Sequence, residues 1–354
     1  MFRSLLMFLL MASNLGVVSC SSSNKTDTAS PTGTASINYD AFYVVNGESN
    51  SISVINSKSA AVTATFPLTG VTYPHHINLS PDGTMLMVGA PGMDFSGGHD
   101  GSMSTMQGSI LMLDAMTGAI MKTRKLDGMA HNAAYSPDGT EVWSALMTMP
   151  GKLLILDAQT LATKKTIVVG DMPAEVTFSK DGKYAFVANG MSNNVSVIDV
   201  STKAVVKTIA VGDDPVGAWP ASDGLMYVDN EKGKSISAMS ASTLTVVRTY
   251  DLGFTPGMAT LAPSGELWVS DADNGKVSYF MKGSTMKMGD ITVGSGAHAI
   301  AFTRDGTMAL VTNQLAGTAS MIDIGSHKVM STITVGKKPN GSIFRSTSVN
   351  SLVE

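Results

Sequence analysis

The chain has 354 residues, 44% of them hydrophobic and only 15% charged, with a net charge of −4. So few charges and no basic excess exclude a phosphate-tracking face for nucleic acid and leave small molecules, metals, peptides and polymers as partner classes. Cys20 is the only cysteine, which excludes a disulfide framework.

Residues 1–20 read "MFRSLLMFLLMASNLGVVSC": Arg3, an apolar run, then small residues. That is the layout of a secretory signal, too short and too interrupted for a membrane span. With "VVSC" at its end the segment resembles a bacterial lipoprotein signal, although Val17 stands where leucine is commoner. The resemblance implies cleavage after residue 19, lipidation of Cys20 and attachment to a membrane through that lipid. Ser21, rather than an aspartate, favours the outer membrane, with the folded part in the periplasm or at the cell surface. Residues 20–38, "CSSSNKTDTASPTGTASIN", have little to bury and form a flexible tether.

Beyond the tether, a turn signal recurs: "SPDG" ending at Gly83, "SPDG" at Gly139, "SKDG" at Gly182, "ASDG" at Gly224, "APSG" at Gly265 and "TRDG" at Gly306. Successive glycines lie 56, 43, 42, 41 and 41 residues apart. A period near 42 with short strands bounded by Gly, Asn, Asp and Pro marks a β-propeller. The unit is clearest over 172–212: an inner strand before the Asp-Gly turn, "KYAFVAN" after it, "NVSVID" third and "AVVKTIAVG" fourth. This unit resembles the YVTN family of β-propeller repeats, and the resemblance extends over about 39–346, more loosely in the units containing "GELWVSDADNGKVSYFM" and "TMALVTNQLAGTASMID".

Strand counting fixes the blade number. Outer three-strand sets begin near residues 41, 84, 140, 183, 225, 266 and 307, and inner strands near 75, 131, 174, 216, 257, 298 and 340. The first outer set has no inner strand before it, and the last inner strand, "NGSIFRS", has no outer set after it. The two leftovers predict an all-β, seven-bladed propeller over 39–346, closed by pairing of the C-terminal inner strand with the N-terminal strands, and a tail over 347–354. A monomer is expected.

Nine residues before each turn glycine stand Pro74, Ala130, Pro173, Pro215, Pro256 and Ala297, with Pro339 in the closing strand. One residue further come His75, His131, Ala174, Val216, Gly257, His298 and Asn340, at one mouth of the central channel. His76 flanks His75, and Glu175 lies one residue along in the next blade. Convergent imidazoles serve metal or haem ligation, or acid-base chemistry; repeated histidine also arises by plain duplication of a wet channel position.

The first spacing, 56 rather than 42, places about 14 extra residues in "GAPGMDFSGGHDGSMSTMQGS". That insertion lies on the face of the channel mouth and carries Met93, Asp94, His99, Asp100, Met103 and Met106. Its Met and His spacing is similar to copper-handling stretches of bacterial envelope proteins, since thioethers suit Cu(I) and imidazole both copper states. The bland alternative is that a chain with 25 methionines shares its bias with a loop. The motifs for covalent haem, a nucleophile elbow, zinc-protease histidines and a phosphate-cradling loop are all missing. His327, in "IDIGSHKV", falls at a turn on the opposite face as a solvated residue.

Three functions remain open. One is a binding or scaffold module without a reaction, displaying its loops and holding a small molecule, metal or protein at the channel mouth. A second is copper- or haem-related metal handling through the histidines and the insertion, distantly like the propellers of nitrous oxide and nitrite reductases. The third is a lactonase-type propeller enzyme, against which no suitable arginine stands near the inner strands.

Overall fold

The computed structural model describes residues 36–97 and 106–347. They form seven four-stranded antiparallel sheets, and the only helical element among them is a three-residue 3-10 turn at Gly190–Ser192. None of their helices is long and apolar enough to cross a membrane. Cys20 lies outside the described residues.

The fourth blade shows why the repeat folds as it does. Its strands are Pro173–Phe178, Tyr184–Asn189, Asn194–Asp199 and Ala204–Ala210. The first turn between them is tied by Asp181, whose Oδ1 accepts the Ser179 hydroxyl at 2.6 Å and the Lys183 amide at 3.1 Å. Gly182 takes the left-handed conformation, φ +69°, that the turn requires. Ser80–Asp82, Ser136–Asp138 and Thr303–Asp305 repeat the hydroxyl–carboxylate tie. The two middle strands of a blade are buried on both faces, because neighbouring blades cover them. In every blade but the second, the outermost strand keeps a single buried side chain near its end, Phe66, Ile167, Ile209, Tyr250, Ile291 or Ile333.

The ring closes as the strand count requires. Pro339–Arg345 pairs antiparallel with Ala41–Asn46, setting Phe42 opposite Phe344 and Ala41 opposite Arg345, with the two phenyl rings 4.9 Å apart. Arg345 ties the seam further, donating from Nε to the Gly83 carbonyl at 2.8 Å and from Nη1 to the Ile37 carbonyl at 3.1 Å. No unpaired edge is left where the chain begins and ends its ring.

The inner strands are irregular where they start. Register shifts fall between Pro173 and Val176, Pro215 and Gly217, Pro256 and Ala259, and Ala297 and Ile300. In the second and third blades the regular inner strand shrinks to Ile77–Leu79 and Ala134–Tyr135, leaving the histidine-bearing residues before them outside regular pairing. Such bulges break the two-residue alternation, so that neighbouring side chains turn to one side.

Candidate metal centre in the axial channel

The bulges bring both residues after the inner-strand proline, rather than every other one, to the axis. His75 and His76 are therefore both in the channel, and both ring-contact His131 and His298 from other blades. Centroid separations are 4.0 Å for His75–His131, 5.0 Å for His76–His131, 5.5 Å for His75–His298 and 5.6 Å for His76–His298. Glycine makes this closeness sterically available. A Cβ on Gly89 would sit 2.7 Å from the His131 carbonyl oxygen, and one on Gly341 2.8 Å from the His76 Cα. The backbone also links the blades at this level, through His76 N–H to the His131 carbonyl at 3.4 Å and Gly341 N–H to the His75 carbonyl at 2.9 Å.

The four histidines and Glu175 are each less than a tenth exposed. Two sets of ligand atoms lie within 4.8 Å of one another, one from His75, His76 and His298 and the other from His76, His131 and Glu175. A tetrahedral site with bonds near 2.0–2.1 Å places its donors about 3.3 Å apart, so either set needs a contraction of at most about 1.5 Å. Glu175 Oε1 stands 3.0 Å from His76 Nε2 and 3.0 Å from His131 Nδ1. A carboxylate accepting both N–H groups leaves the second nitrogen of each ring, His76 Nδ1 and His131 Nε2, as the lone-pair atom that a metal ligand requires.

Burial pushes the Glu175 carboxyl well above the usual carboxylate range, and the nearby Asp229 and Glu231 push it further. A cation among the imidazoles acts in the opposite direction and restores the carboxylate. Asn132 holds Glu175's strand in place: its side chain accepts from the Val176 amide at 3.1 Å and donates to the Val176 carbonyl at 2.9 Å. Asp229, fully buried behind this group, accepts the Trp219 indole N–H at 2.5 Å.

The insertion closes the loop-face side. Phe95 packs edge-on to His75 and His131, with centroids 5.9 and 5.4 Å away, amid Met129, Met147, Met172 and Val216. Met93 packs against the same apolar group. The stem is pinned by Lys338 of the closing blade, which donates to Ser96 Oγ at 2.6 Å and lies 3.5 Å from Asp94. Met106 is exposed, and His99, Asp100 and Met103 lie outside the described residues. Asn340 hydrogen-bonds the Gln314 side chain and donates to the Pro74 carbonyl at 3.4 Å. His327 is a structural residue, stacked on Tyr279 at 4.2 Å and bonded to Glu266 at 2.9 Å.

On the other side of the histidines a cavity of about 360 Å³ runs along the inner strands toward the Asp-Gly turns, with His76 and Glu175 at its inner end and Trp219 and Met258 in its wall. Phe95, Trp219 and Asp229 were not among the residues the repeat register singled out. Trp219 did have a signal. Five residues after each proline position stand Leu79, Tyr135, Phe178, Leu261, Phe302 and Phe344, but in the fifth blade that place is Pro220 and the aromatic stands one residue earlier. One step along a strand moves a side chain to the other face, here toward the channel.

No protein-family model matches the chain, and no curated protein does. Among solved structures it is similar to a putative 6-phosphogluconolactonase from Bacteroides fragilis, with a TM-score of 0.70 at 17% identity over 86% of this chain and 98% of that one. It is similar to the periplasmic gluconolactonase of Pseudomonas aeruginosa, with a TM-score of 0.69 at 18% identity, covering 87% and 99% of the two chains. Kuenenia stuttgartiensis hydrazine synthase gives a TM-score of 0.64 at 17% identity, covering 77% and 90%. At such identities the likeness establishes the propeller alone, and the differing chemistries in these names show how little the fold fixes.

Proposed function

We propose that this protein is an exported, lipid-anchored propeller of the YVTN kind that acts as a binding module, and that the ligand of its axial channel is a transition-metal ion, copper first among them. The observation that carries the reading is His76, which belongs to both buried donor sets and is oriented by Glu175. Imidazole nitrogen suits the later first-row metals, and copper(II) binds such donors more tightly than its neighbours in the series. The signal-like segment ending at Cys20 supports a location in the cell envelope, with the propeller held at the outer membrane by the lipid. The lactonase reading finds less support, since no arginine among the described residues lines the channel cavity to receive a phosphorylated or carboxylated substrate.

Protein purified without an affinity tag and stripped of metal tests this by calorimetric titration with copper(II). His76→Ala removes a donor common to both sets and weakens binding about a hundredfold, roughly 2.7 kcal/mol, while His327→Ala leaves the affinity unchanged. Wild-type affinity no higher than that of a variant lacking His75, His76 and His131 overturns the reading.

A further inference from the structure

The cavity on the turn-face side of the histidines is built with more definition than a solvent-filled channel needs. Trp219 is half-buried in its wall, while Trp143 and Trp268 are fully buried in blade cores. Its indole lies back over Gly217, where an added Cβ would come within 2.6 Å of Trp219 Cε2, so the ring occupies space that only glycine leaves. The indole N–H is held by the buried Asp229, whose other oxygen accepts the Gly217 amide at 3.3 Å. The ring is thus fixed from two sides and stands 5.7 Å, centroid to centroid, from His76. A preorganised aromatic face next to a polar floor is what a recognition site has and a packing residue does not need.

The rest of the lining states the ligand's chemistry. Ile77, Val176, Phe178, Pro220 and Met258 supply apolar wall, and no lysine or arginine among the described residues joins them, so nothing compensates an anionic ligand. Neutral polar side chains, Asn78, Tyr135, Thr177 and Thr260, lie along the wall, and the two titratable groups, His76 and Glu175, meet at the inner end. The volume, about 360 Å³, falls at the small end of ligand pockets and admits a molecule of one or two rings.

We infer that this cavity binds a neutral phenol, its ring lying along Trp219 and its hydroxyl directed at the His76–Glu175 end. The assignment rests on the proposed metal site only for the atom that receives the hydroxyl: the metal when one is bound, the His76–Glu175 pair otherwise. A hydroxyl can donate to the pair or offer oxygen to a cation, and a purely apolar ring can do neither.

The probe is 4-methylphenol, titrated by calorimetry into the full-length metal-stripped protein and into the same protein loaded with redox-silent zinc, against toluene and 4-methylcyclohexanol. Saturable binding of the phenol is expected, at least tenfold tighter than either control compound. Trp219→Ala weakens it at least tenfold, Trp219→Phe keeps it within about threefold, and Gly217→Ala, which displaces the indole without removing it, weakens it as Trp219→Ala does. Absence of saturable binding, equal affinity for toluene, or a Trp219→Ala variant that binds like wild type overturns the inference. Protein that binds copper through His76 but no phenol loses the cavity assignment and keeps the metal site. Protein that binds the phenol through Trp219 but no copper keeps the cavity assignment and loses the metal site.

Discussion

The substitution Asp229→Asn should reverse the order of stability of the two proteins between mildly acidic and neutral pH. Burial, with Glu231 nearby, raises the Asp229 carboxyl from 3.8 to about 8, although its bonds from Trp219 and Gly217 work the other way. In the unfolded chain the same group ionises near 3.8. Between these values the folded protein holds a proton that the unfolded chain has released, so the carboxyl's contribution is fully present below pH 3.8 and is lost as pH rises toward 8. At about 1.4 kcal/mol per pH unit over about four units, the loss is roughly 5 to 6 kcal/mol. The amide that replaces the carboxyl in the variant does not titrate. It keeps an oxygen for the indole N–H but turns its NH2 group toward the Gly217 N–H, at a cost of about 1 kcal/mol. The variant is therefore the less stable protein at about pH 4, equals wild type at about pH 4.5 to 5, and exceeds it by roughly 3 kcal/mol at about pH 7. For a ring of this size that difference is a rise in Tm of about 4 to 5 °C. Metal-stripped proteins melted and urea-unfolded in parallel from about pH 4 to about pH 8.5 give the comparison; Glu175, whose carboxyl the Asp229 charge pushes up, is relieved of that charge in the variant, which adds to the variant's gain as pH rises. Stability curves that run parallel across this range refute the buried-acid account.

Truncation before Asn340 removes most of the strand that pairs with Ala41–Asn46 and uncovers an edge, so the shortened protein should associate or melt well below the full chain; a monomer with unchanged Tm argues against a seam at that strand. Cys20→Ser removes the proposed acylation site, and the variant should leave the membrane fraction for the soluble one, since each buried methylene of a lipid chain holds by about 0.8 kcal/mol; unchanged detergent partition rejects the anchor.

The seven blades were legible because each unit repeats the same local demands: a hydroxyl and an aspartate tying a turn, a glycine at positive φ, and strands of fixed length between them. The closing strand was legible for a different reason, since "NGSIFRS" had nowhere else to pair. The repeated histidine position was visible too, because His75, His131 and His298 keep one offset from the turn glycine. Their meeting with His76 and Glu175 was harder to read, since it depends on bulges that undo strict alternation at the start of the inner strands. Phe95 gave no warning at all: an insertion has no repeat register, and its seat on His75 follows from contacts across blades. Asp229 looked like one more polar residue near a strand end until its partner, Trp219, was seen to face the channel.

The seam also sets the order in which the site comes into being. Its donors are scattered from residue 75 to residue 298, on the second, third, fourth and seventh blades, and the first blade stands between the seventh and second. That first blade lacks its inner strand until residues 339–345 arrive, and Gly341 is the residue whose amide meets the His75 carbonyl. A nascent or translocating chain therefore carries His75, His76 and His298 before it can bring that set together. Copper capture at native affinity becomes a clock for circularisation: loaded during refolding, the ion reports the moment the last strand docks, and its escape reports how often the ring springs open.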